Sequence, residues 1–302
     1  MEYVIQTRDL TKAYGGILAV SHVDINVKKG DIYGFIGKNG AGKTTFLRMI
    51  LGLAAPTSGE IVLFESKDLG EQRNKIGSII ETPALFPFMT ASENMEAQRR
   101  LVPGATKEDA VSLIKLVGLD NDKKKKVKNY SLGMKQRLGI ALALLGKPEV
   151  LLLDEPVNGL DPMGIIEIRE LILKLNKENG ITILISSHIL GELSKLATRY
   201  GIIDKGVLIK EFTNAEIDTG NNRFIRIKTA EQQKVIEILK QLTTSDKIII
   251  RDQNTILLYD YVDRSAQVNR ELALQGVCVE EISVQGEDLE SFFVETMGGM
   301  KV

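Results

Sequence analysis

The chain opens on stretches in which apolar and polar residues alternate. Residues 4–14 (VIQTRDLTKAY) and 18–30 (LAVSHVDINVKKG), the latter with Val23, Ile25 and Val27 at period two, predict strands with one buried face. Lys29, Gly30 and Asp31 supply a turn, and 32–37 (IYGFIG) is a continuous apolar run of the buried-strand type. After a glycine-rich loop, Phe46, Leu47, Ile50 and Leu51 recur at helical spacing, and turn chemistry follows over 56–59. Residues 93–145 predict mainly helix. Two more continuous runs, 149–154 (EVLLLD) and 181–186 (ITILIS), predict strands covered on both faces, as in a parallel sheet. The periodic segment 162–177 between them, closed by Asn179 and Gly180, predicts a helix. This strand–helix–strand unit points to an α/β fold with a parallel core sheet, and 201–212 (GIIDKGVLIKEF) predicts a hairpin after it.

Beyond about residue 220 the pattern changes. A strand at 223–229, an amphipathic helix at 231–242 and paired strands at 247–252 and 255–261 come first. A helix at 263–276, a strand at 277–284 and a last helix at 288–297 follow. The β-α-β-β-α-β order predicts a small α+β, ferredoxin-like domain. With the polar stretch 218–222 as boundary, the expected domains are 1–218 and 219–302.

A length of 302 residues agrees with about two domains. The net charge of -1 makes no electrostatic case for a nucleic-acid partner, and none is expected. The lone Cys278 can form no internal disulfide and no thiolate cluster for zinc, which points to a reducing cytoplasm. The first twelve residues hold no apolar signal core, and no run approaches the ~18 apolar residues of a membrane span.

Residues 37–45 (GKNGAGKTT) carry the first chemistry: Gly37, Lys38, Asn39, Gly40, Ala41, Gly42, Lys43, Thr44 and Thr45 satisfy G-x-x-x-x-G-K-[ST]. Glycines let consecutive N–H groups turn inward on phosphate oxygens, and the following helix adds positive potential. Lys43 neutralises phosphate charge, and the Thr44 hydroxyl suits Mg²⁺. A glycine-rich turn with a chance lysine would lack the flanking strand and helix, so this is a nucleotide site of unspecified nucleotide. In 150–156 (VLLLDEP) Asp154 and Glu155 stand at the end of the apolar run, where α/β sheets gather ligands. Asp154 suits Mg²⁺, and Glu155 suits a general base for an attacking water. The competing reading is an acid pair at a helix N-terminus.

Three further segments, 129–144 (NYSLGMKQRLGIALAL), 158–162 (NGLDP) and 185–188 (ISSH), complete a pattern that resembles the nucleotide-binding subunit of an ATP-binding cassette (ABC) transporter. Aromatic loop, Walker A, Q-loop, signature, Walker B, D-loop and H-loop follow in family order over residues 1–215. The resemblance implies ATP and Mg²⁺ as ligands. It implies Tyr14 as the aromatic on adenine, Asp161 as the D-loop aspartate, and His188 as a switch histidine acting with Lys43 and Glu155. In the signature YSLGM, Ser131 and Gly133 match the family's LSGGQ while Tyr130, Leu132 and Met134 depart. Ser131 also fits from its chemistry, as a hydroxyl where a helix begins. Because a family signature caps ATP held by a second subunit, a dimer, expected to be a homodimer, is implied. So is a separate membrane permease. His22, in a strand pattern, is expected to be structural.

Where the family has a glutamine in the Q-loop, this chain has Glu81, a feature that resembles the bacitracin and lantibiotic-resistance branch, as do SLGM signatures. Its extra charge is most simply balanced by the metal, which makes Glu81 a candidate ligand beside Thr44 and Asp154. The following loop, with Pro83, Phe86, Pro87 and Phe88, corresponds to the family's contact with the membrane subunit. Lys123–Lys126 is expected to be a solvated loop, with an anionic-lipid contact as the alternative. No catalytic constellation stands out in the C-terminal domain.

The implied function is the ATPase subunit of an exporter for an antimicrobial peptide, drug or other amphipathic compound, peripheral on the cytoplasmic face of the membrane. An ATPase for a lipid or polysaccharide exporter would share the mechanism. A soluble ABC protein of ribosomes or DNA fits less well. Lys43 and Ser131 stand only 88 positions apart with no heptad run between them, and the chain carries one cassette.

Overall fold

In the computed structural model, which describes residues 2–122, 124–218, 223–286 and 293, the alternating N-terminal segments pair around one long strand. β1 (Tyr3–Tyr14) is antiparallel to β2 (Ile17–Val23) and β3 (Asn26–Lys28). The pattern over 18–30 predicted one strand and the structure has two. Thr7 interrupts it: its hydroxyl donates to Val23 O (2.8 Å) and accepts from Ile25 N (3.0 Å). Val23, Ile25 and Val27 are nevertheless all buried.

β4 (Ile32–Ile36) leads through the glycine loop into α1 (Lys43–Ile50), and β5 (Ser58–Leu63) returns antiparallel to β1. A short α2 (Leu69–Gln72) precedes β6 (Ile76–Ile79). Then come three helices: α3 (Ala91–Arg99), α4 (Lys107–Leu116) and α5 (Leu132–Ala143). Capping boxes start two of them, Thr90 with Glu93 and Thr106 with Asp109, each pairing a hydroxyl and a carboxylate with otherwise unpaired N–H groups.

β7 (Val150–Asp154), α6 (Pro162–Asn179) and β8 (Thr182–Ser187) form the expected strand–helix–strand unit. Pro162 opens α6 with its fixed φ, and Gly180 closes it at φ +69°. A single turn, α7 (Leu190–Leu193), leads to β9 (Arg199–Asp204) and β10 (Val207–Thr213). The six-stranded sheet runs β10-β9-β4-β8-β7-β6; β4 is parallel to β8 and β9, and β7 to β6 and β8. Every residue of β4, β7 and β8 is buried, as predicted for strands covered on both faces. Phe46, Leu47, Met49 and Ile50 anchor α1 in that core, with Phe46 4.9 Å from Phe35. At about 1.5–3 kcal/mol for each large apolar side chain buried, α1 is held firmly in place.

These elements form one compact unit, Met1–Phe212, and Thr213–Val302 form a second. The second contains α8 (Asn214–Asp218), β11 (Arg223–Lys228), α9 (Gln232–Leu242), β12 (Ile248–Asp252), β13 (Thr255–Leu258), α10 (Ser265–Leu274) and β14 (Glu281–Gly286). Its antiparallel sheet has the order β12-β13-β11-β14, the ferredoxin-like arrangement. Ile225, Ile227, Ile256 and Leu258 pack on Val235, Leu239, Val268 and Leu272 of the two long helices. The last strand begins four residues later than predicted. Residues 277–280 are held by other groups instead: Val277 N donates to Leu272 O, and Cys278 N to Glu231 Oε2. The predicted last helix, 288–297, and the stretch 219–222 lie outside the described residues apart from Phe293. Among the described residues no helix is long and apolar enough to cross a membrane.

Candidate active site

The loop between β4 and α1 is shaped by two glycines that no other residue could replace. A Cβ on Gly37 would lie 2.5 Å from Ile203 O. One on Gly42, which caps α1 at φ +108°, would lie 2.3 Å from Ala19 O. Lys38, Asn39 and Gly40 are exposed at the loop's crest, and Ala41 N closes it on Lys38 O at 3.1 Å. Thr45 follows Thr44 in the first turn of α1. Lys43 is 5% exposed; its ammonium donates to Gly37 O at 2.6 Å and Lys38 O at 3.2 Å.

Asp154, 2% exposed, stands at the end of β7 and not in a helical turn. Its Oδ2 accepts from Thr44 Oγ1 at 2.7 Å, and its Oδ1 from Ser186 Oγ at 2.5 Å. The next residue, Glu155, turns left-handed at φ +49°, and its N–H reaches both the carbonyl and the hydroxyl of Ser186 at 3.1 Å. Its carboxylate then sits between two bases. Oε2 is 2.8 Å from His188 Nδ1, and Oε1 is 3.1 Å from Lys43 Nζ. That second contact lies outside hydrogen-bond angles, so Oε1 is buried while accepting no hydrogen bond. Lys43, Thr44, Asp154, Glu155 and His188 thus form one contiguous group. Ser186, which sequence reading missed, ties it together. Register was its signal, because Asp154 and Ser186 are direct partners across β7 and β8. Thr44 Oγ1 and the Asp154 carboxylate are adjacent hard oxygen donors, a set that fits Mg²⁺.

Glu81 has a partner that the sequence reading did not name. It lines a cleft of about 600 Å³ with Thr44, Asp154, Glu155, Leu132 and Gln136. Its charge, however, is balanced within the protein: Arg48 Nη2 donates to Glu81 Oε1 at 2.6 Å. Arg48 stands one turn beyond Thr44 on α1, a spacing legible in sequence once Glu81 is known to be near.

The other predicted residues lie apart; among the described residues no hydrogen bond or ion pair joins them to this group. Tyr14 is half exposed, with Lys12 Nζ 4.8 Å from its ring centre. Ser131 caps α5, its hydroxyl accepting from Met134 N at 3.2 Å. Gly133 faces Gly164 of α6, and Asp161 stands at the N-cap of α6. His22 pairs with Asp9 on the surface. Within the lysine run, Lys123 lies outside the described residues, and Lys125 is not simply solvated. Its ammonium is 3.7 Å from Met134 Sδ and 5.6 Å from the Tyr130 ring centre, touching two of the residues that depart from the family signature.

The family model described as "ABC transporter" matches residues 20–158. The bacitracin transport ATP-binding protein BcrA of Bacillus licheniformis is 43% identical over 303 residues, covering 99% of each chain. The lantibiotic transport ATP-binding protein SrtF of Streptococcus pyogenes is 44% identical over 216 residues, covering 70% of this chain and 93% of its own. Among solved structures, a dimeric ATP-binding cassette in a post-hydrolysis state, bound to ADP and Pi, superposes with a TM-score of 0.63. Its identity is 29%, over 69% of this chain and 98% of that one.

Proposed function

This chain belongs to the ATP-binding proteins of the ABC transporter family, and from that premise we propose that it powers export of an antimicrobial peptide through a separate membrane permease. The cargo class is supported by its full-length likeness to a bacitracin transport protein and its likeness to a lantibiotic transport protein. Binding and hydrolysis of ATP are family properties. What carries the assignment of roles is the Glu155 carboxylate, held by His188 on one oxygen and beside Lys43 on the other.

In the proposed mechanism, backbone N–H groups of residues 37–44 surround the phosphates of ATP, and the Lys43 ammonium moves its donors from loop carbonyls to phosphate oxygens. Thr44 and Asp154 hold Mg²⁺, which when bound neutralises phosphate charge. Ser186 fixes the Asp154 carboxylate. Glu155 Oε1 accepts a proton as a water oxygen attacks the γ-phosphorus. The bond to the bridging oxygen breaks, leaving ADP and phosphate. His188 keeps Oε2 occupied, so the free oxygen faces the water.

Tyr14 stacks on the adenine. Ser131, Gly133 and Asp161 act on ATP held by a second copy of the chain. The dimeric form of the solved relative supports that division. Phe86 and Phe88, 56% and 70% exposed, form the permease-facing surface, and their loop is pinned to the Asn94 side chain through Phe86 N (2.8 Å) and O (3.2 Å). The ATPase is peripheral on the inner face of the membrane.

The test is Glu155→Gln. Nucleotide binding is retained, hydrolysis falls by about 10²–10⁴-fold, and ATP shifts the variant to a dimer on size exclusion. Hydrolysis at the parental rate removes Glu155 from the base role. The same variant, used with ATP to pull partners from detergent-solubilised membranes, recovers a multi-spanning protein.

A further inference from the structure

A glutamate at the rim of a phosphate-binding cleft carries a charge that the ligand's own charge opposes. Glu81 follows β6 in a left-handed turn at φ +62° and lines the same cleft as Thr44, Asp154 and Glu155. Lys43 is engaged by the loop carbonyls and by Glu155, so it does not serve Glu81. Arg48 does, at 2.6 Å.

The position of Arg48 gives this pair a consequence. Thr44 and Arg48 are separated by four residues on α1, so they share one helix face about 5–6 Å apart. Thr44 Oγ1 contacts Asp154, and the next turn of the same face holds the carboxylate of Glu81. The helix itself is a fixed post, with Phe46, Leu47, Met49 and Ile50 all fully buried. Glu81 therefore has two cationic destinations one helical turn apart: the guanidinium, and the Mg²⁺ site at Thr44 and Asp154.

Building on the ATPase site described above, we propose that Arg48 is a positioning residue that competes with Mg²⁺ for the Glu81 carboxylate, so that Glu81 reaches the metal site only by leaving the guanidinium. A glutamine at this position would carry no charge to be held back, which is why the glutamate requires such a partner. The side chains of Arg48 and Glu81 are 42% and 61% exposed, so water screens the pair. It holds the carboxylate weakly enough to exchange.

The experiment is a Mg²⁺ titration of trinitrophenyl-ATP binding, followed by fluorescence at equilibrium, on the parent, Arg48→Gln, Glu81→Gln and the double variant. Arg48→Gln lowers the Mg²⁺ concentration at half-saturation about two- to fivefold, the range for an exposed ion pair. In the Glu81→Gln background the same change has no effect. Arg48→Lys, which keeps the charge but loses the planar fork, returns most of the parental value, and Arg48→Met, also uncharged, takes the place of Arg48→Gln if that variant does not fold.

An equal shift in both backgrounds overturns the proposal, because Arg48 would then act on the metal through space and not through Glu81. No shift in either background overturns it as well. A parent whose nucleotide binding shows no Mg²⁺ dependence would instead overturn the metal-site reading itself, so the two failures are distinguishable.

Discussion

Ser186→Ala is the sharpest test of how the site is built. The Ser186 hydroxyl is completely buried and donates to an ionised group, Asp154 Oδ1, that is itself 2% exposed. A buried hydrogen bond to a charged group contributes about 1.5–3 kcal/mol. The Glu155 N–H is not orphaned by the change, because it also donates to the Ser186 carbonyl at 3.1 Å, which alanine keeps. The loss therefore falls mainly on Asp154, with one of the two acceptors of the Glu155 N–H going with it, and about 2 kcal/mol is expected. For a unit of roughly 210 residues, each kcal/mol moves the melting midpoint by about 2–4 °C, so Ser186→Ala melts about 4–8 °C below the parent. Affinity for Mg²⁺-ATP falls with it, since the carboxylate proposed to hold the metal is no longer fixed. Scanning calorimetry of the full chain gives the first quantity and equilibrium nucleotide binding the second. Ser194→Ala removes an exposed hydroxyl bonded to Gly191 O and is the control, expected within about 0.5 kcal/mol of the parent. A Ser186→Ala midpoint within about 1 °C of the parent, with unchanged nucleotide affinity, would refute the reasoning.

Two predictions concern pH. Burial pushes the Glu211 carboxyl above its usual range, only partly offset by the Tyr33 hydroxyl at 2.8 Å and by Arg199. A carboxyl with a raised folded value loses stability as pH rises from the unfolded value near 4.5 through the folded one. Glu211→Gln keeps an acceptor for Tyr33 and has no such loss, so its midpoint relative to the parent climbs between pH 4 and pH 7; a constant difference would count against it. Asp109 is held down to about 2 by the Thr106 backbone N–H of its capping box, Lys147 and the Thr106 hydroxyl. Its contribution is present above about pH 4 and fades as pH falls toward 2, so Asp109→Asn flattens the acid limb of the stability curve in that window, and an unchanged limb would exclude the effect.

Much of this molecule was legible because its core strands are continuous apolar runs and its phosphate loop has a fixed spacing. Residues 32–36, 150–154 and 182–187 had to be buried on both faces, and the structure buries all of them. The partners of the site were less legible, because they come from register across a sheet or from neighbouring turns of a helix. Ser186 matters because β7 and β8 pair in one particular register, and Arg48 because β6 ends beside the face of α1 that also carries Thr44. A periodic pattern says which face is buried but not what lies across it. Thr7 is a similar case: its hydroxyl ends one strand and starts the next between Val23 and Ile25, where the period-two alternation carries on through Val27, by contacts 16 and 18 residues away. In the lysine run Lys124 and Lys126 are exposed as expected, and Lys125 departs because nothing local in the sequence links it to Met134.

The left-handed turn at Glu155 shows where the site costs stability. A residue that continued β7 in extended backbone would place its side chain on a face of the sheet. The turn at φ +49° instead carries the carboxylate past the strand end, to Lys43 and His188. For a residue with a Cβ this conformation costs about 1–2 kcal/mol, and it persists because Ser186 accepts the N–H twice. Comparing Glu155→Gly with Glu155→Ala isolates the cost, since both delete the carboxylate and its contacts. Glycine regains the 1–2 kcal/mol and gives back about 0.5–1 kcal/mol to its freer unfolded chain. The net gain of about 0–1.5 kcal/mol puts the Glu155→Gly midpoint about 0–6 °C above that of Glu155→Ala, measured by calorimetry without nucleotide. If alanine is instead the more stable of the two by about 1–4 °C, the freer unfolded chain of glycine is the whole difference, the backbone at 155 is unstrained, and the carboxylate is placed by its side-chain contacts alone.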